Sequence, residues 1–236
     1  MSERYSRLFT LPENLYAIGS PVVIAAGTLL KDNQTGKIVA QIKLRSISDK
    51  SIRAVKVRLD LFDTAGNPIG NRVEYEYLDL NAARDLEFGQ KNPVFIAESK
   101  ARSYEAAVVS IVFTDRTTWT ASDAKWEPLP KQKTLDKVLI NAELIKQYKI
   151  TVCGDVSYYP MEEKNLWYCT CGALNHKDEH CHVCGRTLFE LQIIDLARLK
   201  RDRDARLAEE FADEKAWISE RKAAAEAAKR KTAQLL

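Results

Sequence analysis

The chain has 236 residues, 45% hydrophobic and 29% charged, with a formal net charge of +3. That length suits one large domain or two small ones, and so small a charge creates no strong field toward nucleic acid or anionic lipid. The opening MSERYSRLFTLPENLYAIG carries Glu3, Arg4 and Arg7 instead of a signal peptide's apolar stretch, and no apolar run nears the roughly 20 residues of a membrane helix, so a cytoplasmic protein is expected.

From about residue 20 to 120 the pattern has period two. In IVAQIKLRSI, Ile38, Ala40, Ile42 and Leu44 face one way, and Gln41, Lys43 and Arg45 the other. IRAVKVRLDLFD repeats this, setting Val55, Val57, Leu59 and Leu61 against Lys56, Arg58 and Asp60. KDNQTGK, SDKS and TAGNPIG supply turns between these segments. RVEYEYLDL and NPVFIA follow, then YEAAVVSIVFTD, whose mixed apolar character predicts a strand covered on both faces. One-sided alternation with short turns predicts an antiparallel β-sandwich of about seven strands over residues 1–127.

Leu59-Asp60-Leu61-Phe62-Asp63, the turn Thr64-Ala65-Gly66-Asn67-Pro68 and the preceding RSISDKSIRAVKV resemble the FxLYD-type β-sandwich domains of bacterial proteins, over roughly residues 20–115. Leu59 stands for the family's Phe and Phe62 for its Tyr. The resemblance implies an interaction or spacer module.

WEPLPKQK reads as a hinge, and TLDKVLINAELIKQYK as a short helix with Leu135, Val138, Leu139, Ala142 and Ile145 at helical spacing and Thr134 as N-cap. These make residues 128–150 a linker with a helix. ITVCGDVSYY reads as a short strand that buries Cys153 and leads into a zinc ribbon over 151–187.

The ribbon's chemistry lies in WYCTCGALNHKDEHCHVCG. Cys169-x-Cys171 and, after nine intervening residues, Cys181-x-x-Cys184 offer four thiolates in two close pairs, the donor set of a structural tetrahedral Zn²⁺. Gly172 and Gly185 follow the pairs and let the chain curl so that backbone N–H groups point at sulfur. His176, His180 and His182 read as solvated loop residues, since four cysteines already complete the shell.

With Trp167 before the first pair and Asn175 in the loop, the stretch resembles the Ran-binding-protein-type zinc finger. Its first knuckle is shorter than the family's, and a generic bacterial zinc ribbon describes it equally well. Such fingers bind ubiquitin or single-stranded RNA. Ubiquitin binders carry Thr-Phe where Gly172-Ala173 stands here, and the acids Asp178 and Glu179 in the loop oppose phosphate. Trp167, Asn175, Lys177 and Arg186 are the candidate partner-binding residues, with Trp167 expected chiefly to pack on the ribbon. Paired Cys-x-Cys and Cys-x-x-Cys also resemble a redox-regulated holdase family, which makes a zinc-thiol switch a further alternative.

From Leu188 there is no Gly or Pro, and from Glu190 eleven Lys/Arg interleave with ten Asp/Glu, so residues 188–236 read as a long charged helix. Its first turns should pack through Ile193, Ile194, Leu196 and Leu199. The ladders Asp202–Arg206–Glu210 and Lys222–Glu226–Arg230 support it, and Leu207, Phe211, Trp217 and Ile218 are too sparse for a sustained coiled-coil seam. No phosphate loop, nucleophile elbow or His-Glu-x-x-His is present, and all histidines lie in the cysteine module. The expectation is a non-enzymatic adaptor that meets a protein partner, with nucleic-acid binding through the ribbon and Lys229-Arg230-Lys231 as the alternative.

Overall fold

The computed structural model describes residues 4–122, 124–177 and 180–234, with side chains through 227 in the last helix. Glu3, Asp178 and Glu179, and the side chains of Lys229, Arg230 and Lys231, lie outside the described residues. The chain divides into two units, residues 1–131 with 163–165, and residues 132–162 with 166–236. Among the described residues no helix is long and apolar enough to cross a membrane.

The first unit holds two antiparallel sheets. One consists of β1 (Tyr5–Thr10), β2 (Leu15–Tyr16), β3 (Val22–Asp32), β4 (Ile38–Ser46), β7 (Glu87–Phe88), β8 (Val94–Ile96) and β11 (Glu127–Pro128). The other runs in the order β10 (Thr118–Thr120), β9 (Ser103–Phe113), β5 (Ile52–Phe62), β6 (Val73–Tyr77). Alternation dictates the core between them. Ile38, Ala40, Ile42 and Leu44 of β4 and Val55, Val57, Leu59 and Leu61 of β5 are all buried in one cluster. Outward, Lys56 pairs with Glu74 at 2.9 Å and Glu76 at 3.5 Å on the neighbouring strand.

Gly27 lets the sheets approach. A Cβ there would stand 2.5 Å from both Leu11 Cδ1 and the Tyr104 hydroxyl, which donates across to the Gln41 carbonyl at 3.2 Å. The Leu59–Asp63 stretch ends in a turn organised by Asp63, whose carboxylate accepts from the backbone N–H groups of Ala65 and Asn67 at 2.8 and 2.9 Å.

Two details depart from the sequence reading. The described strands of this unit number eleven rather than seven, because β2, β7, β8, β10 and β11 have only two or three residues each, too few to show a period. And β9 is fully buried on one face only, its other face being mostly half-buried. Its register against β5 shifts between Val108 and Ser110, so the buried set passes from Tyr104, Ala106 and Val108 to Ile111 and Phe113. That bulge scrambles the alternation and makes the segment look apolar on both sides.

The second unit contains α1 (Leu135–Val138), α2 (Ala142–Thr151), the three-stranded sheet β12 (Met161–Glu163, its last residue counted with the first unit), β13 (Leu166–Tyr168) and β14 (Leu174–His176), then α3 (Leu188–Gln192) and α4 (Leu196–Gln234). The single helix expected over 134–149 is two. Leu139 and Asn141 are extended, and the Asn141 side chain accepts from the N–H groups of Glu143 and Leu144, so Asn141 opens a new helix. The strand expected at ITVCGDVSYY is instead the end of α2 and a turn. Cys153 has φ +50° and is exposed, which corrects its predicted burial.

The C-terminal helix is also interrupted. Thr187 and Glu190 form a reciprocal capping box on α3, and Asp195 accepts from the Arg198 N–H at 2.6 Å to start α4. Leu191 and Leu199 are buried, while Ile193 and Leu196 are about half exposed, so fewer of the first turns pack than expected. Arg206 pairs with Glu210 as the spacing predicts, and also reaches Glu143 of α2.

Candidate metal centre

Two knuckles bring the cysteines together. In the first, which follows β13, the Cys169 N–H donates to the Ala173 carbonyl at 2.8 Å and Gly172 N–H to the Cys169 carbonyl at 2.9 Å. In the second, Cys181 N–H donates to the Arg186 carbonyl at 2.8 Å and Gly185 N–H to the Cys181 carbonyl at 2.7 Å. The same closure is made with one residue fewer in the first, so the short Cys-x-Cys is accommodated. Gly172 and Gly185 have φ of +93° and +74°, the left-handed conformation such tight curls require. As the spacing suggested, the curls aim N–H groups at sulfur: Cys171 at the Cys169 thiol, Ala173 at that of Cys171, and Arg186 at that of Cys184.

The four sulfurs lie within 4.8 Å of one another, Cys169 and Cys181 buried, Cys171 and Cys184 half-buried. Cys169 Sγ is 3.4 Å from Cys184 Sγ and Cys171 Sγ is 3.5 Å from Cys181 Sγ, and all four are free thiols. Sulfurs on one tetrahedral Zn²⁺ at about 2.3 Å stand roughly 3.8 Å apart, so the group is already near coordination geometry. These four residues can hold a metal ion. Among the described residues none of the histidines joins them. His182 Nδ1 instead shares a 2.6 Å hydrogen bond with the side-chain amide oxygen of Asn175.

The thiols sit in contrasting environments. Burial pushes Cys169 and Cys171 up. Burial also opposes ionisation of Cys184, but the Arg186 N–H, the neighbouring thiols of Cys169 and Cys181, and the Arg186 guanidinium outweigh it and hold Cys184 at about 7. Four thiolates around a divalent ion leave two negative charges, of which the guanidinium offsets one.

That guanidinium has a second task. Arg186 Nη2 donates to the Val152 carbonyl at 2.7 Å and to that of Cys153 at 3.4 Å, closing the C-terminal end of α2. The other candidate partner-binding residues are likewise engaged within the unit. Trp167 is completely buried, with its Nε1 donating to the His176 carbonyl at 2.9 Å. Asn175, also buried, donates to the Ala173 carbonyl and accepts from the His182 N–H. Lys177 pairs with Glu162 at 3.3 Å.

The cysteines do not form an isolated ribbon. Cys169, Cys181 and Trp167 share one core with Leu135 and Leu139, Leu144, Tyr148 and Val152 around α2, and Leu191 and Leu199 of the last two helices. Segments that read in sequence as linker, ribbon and helix thus meet in one unit. Gln132 joins them, donating to the Cys169 carbonyl at 2.8 Å and the Tyr159 carbonyl at 3.0 Å. Nothing in WEPLPKQK announces that role, because a lone glutamine beside two prolines reads as loop. No family model, curated protein or solved structure matches the chain, so the three family resemblances rest on the residues that carry them.

Proposed function

We propose that this protein is a non-enzymatic adaptor of the cytoplasm whose four cysteines hold one structural Zn²⁺, and whose zinc-fastened unit presents its long helix to a protein partner. One observation carries the reading: two of the four cysteines lie in, and the other two pack against, the core that joins α2, the ribbon strands and the start of α4. A metal there fastens helices as well as a hairpin. Cys169, Cys171, Cys181 and Cys184 would be the ligands, Arg186 and the knuckle N–H groups their support, and four thiolates leave no open position for a reacting water. RNA stacking on Trp167 gains no support, because a completely buried indole offers no face to a base.

Native mass spectrometry with thiol alkylation tests this. One zinc per chain is expected, with Cys153 alkylated and the other four cysteines protected until chelator is added. A metal-free protein with all five thiols reactive would sink the proposal. Zinc lost under mild oxidant with Cys169–Cys184 and Cys171–Cys181 disulfides would turn the site into a switch.

A further inference from the structure

Helix α4 outruns the structure that supports it. Arg206 bonds Glu143 and Gln147 of α2, and Glu210 bonds Lys146 at 3.1 Å. Beyond Glu210 the helix continues to Gln234, roughly 36 Å at 1.5 Å per residue, and its described side chains from Leu207 to Ala227 are all exposed. They include Phe211 at 69% exposure, Trp217 at 55% and Ile218 at 41%. Leu207, Phe211, Ile218 and Ala225 recur at spacings of four and seven and so share one face. Large apolar side chains along one face of an exposed helix mark an interaction surface.

The charges along this stretch say what covers it. Residues 209–214 contain four acids and no base, whereas residues 221–231 contain five bases and one acid, by sequence. Trp217 and Ile218 lie between the two blocks, and the Arg221 guanidinium rests over the Trp217 ring at 4.6 Å. Beside the same stretch of another chain, a parallel alignment sets acid on acid and base on base. An antiparallel alignment sets each acidic block along a basic one, and two-fold symmetry satisfies both ends at once. The axis then falls near Trp217 and Ile218. Phe211 meets the alanines at 223–225 and 227, small side chains that let a large ring approach.

We propose that the unsupported stretch of α4 pairs antiparallel with the same stretch of a second copy of this chain. The pairing is independent of the metal centre, since a zinc-loaded monomer would remove it and leave the site intact.

Sedimentation velocity on the full zinc-loaded chain over a wide concentration range is the test. The mass should rise from 26.8 kDa toward twice that value, and added salt should weaken the association. Trp217→Ala with Ile218→Ala should raise the dissociation constant at least tenfold with zinc content unchanged. Glu209→Lys/Asp213→Lys/Glu214→Lys and, separately, Arg221→Glu/Lys222→Glu should each weaken self-association, and a mixture of the two proteins should associate better than either alone. Carboxyl-to-amine cross-linking of light and heavy isotope-labelled chains should join the 209–214 acids of one copy to Lys222 of the other. A zinc-loaded monomer at every concentration, a dimer indifferent to both charge reversals, or cross-links that report parallel chains would overturn the proposal.

Discussion

The two units reach order by different routes. The sandwich buries its apolar side chains between two sheets in a cluster of 25 described residues, most of them on the inward faces of strands. The C-terminal unit has a comparable length, yet its cluster contains 11 residues, two of them cysteines of the group that can hold a metal ion. Its remaining order rests on polar clasps: Arg186 on the end of α2, Gln132 on the Cys169 carbonyl, and Arg206 between Glu143 and Glu210. One core is complete without a metal, and the other is built around the place for one. The cysteines therefore matter to far more chain than the 16 residues from Cys169 to Cys184.

The largest effect should come from Cys181→Ser. Structural zinc contributes about 10–16 kcal/mol of apparent binding free energy in small domains, and removing one thiolate forfeits most of it. Circular dichroism and heteronuclear NMR should show α2 and the ribbon strands lost while the sandwich resonances keep their shifts. Loss confined to the hairpin would show that α2 holds without the metal and that the metal fastens the ribbon alone.

Leu59→Ala is the converse. It empties a completely buried site between the sheets, at a cost of about 2–5 kcal/mol. Denaturant unfolding should shift for the sandwich only, with zinc content unchanged.

Arg186→Ala should act within the second unit and more mildly, lowering metal affinity roughly 10–100-fold, as is usual when a group supporting a ligand is removed. Competition with a chromophoric chelator would read it. An unchanged affinity would mean that the guanidinium serves α2 alone.

The smallest effect is electrostatic and belongs to the sandwich. Hydrogen bonds from the Lys50 ammonium and from the Thr117 hydroxyl and N–H hold Asp115 at about 2, below its usual 3.8. Because folding lowers this value, the contribution is fully present above pH 3.8 and is lost as pH falls through about 2. Asp115 is exposed at the surface, so solvent screens the interaction and the effect on stability should be slight. Carboxyl NMR should place its midpoint near 2, and Lys50→Ala should move it up.

What was legible in the sequence follows the same division. Strands of nine to eleven residues show their period, so the buried faces of β4 and β5 are readable directly. The bulge in β9 hides its phase, and strands of two or three residues show no phase at all. In the second unit the ligand spacing is equally plain, since chemistry restricts which residues can hold the ion. The scaffold around it is not. Asn141 is recognisable as an N-cap only once the helix is known to break, and Cys153 looks like a strand residue until the turn after α2 gives it a positive φ. Trp167 shows the limit of motif reasoning. Its place before the first cysteine suits stacking or packing equally well, and only its complete burial decides between them.

Hydrogen exchange read by mass spectrometry, before and after the metal is stripped, tests the central claim most directly. The account predicts that protection disappears across α1, α2, β13, β14 and the first turns of α4, while β3, β4, β5 and β9 exchange as before. Unchanged protection in the second unit, or a collapse that takes the sandwich with it, would contradict a metal-fastened unit and a self-sufficient one in the same chain.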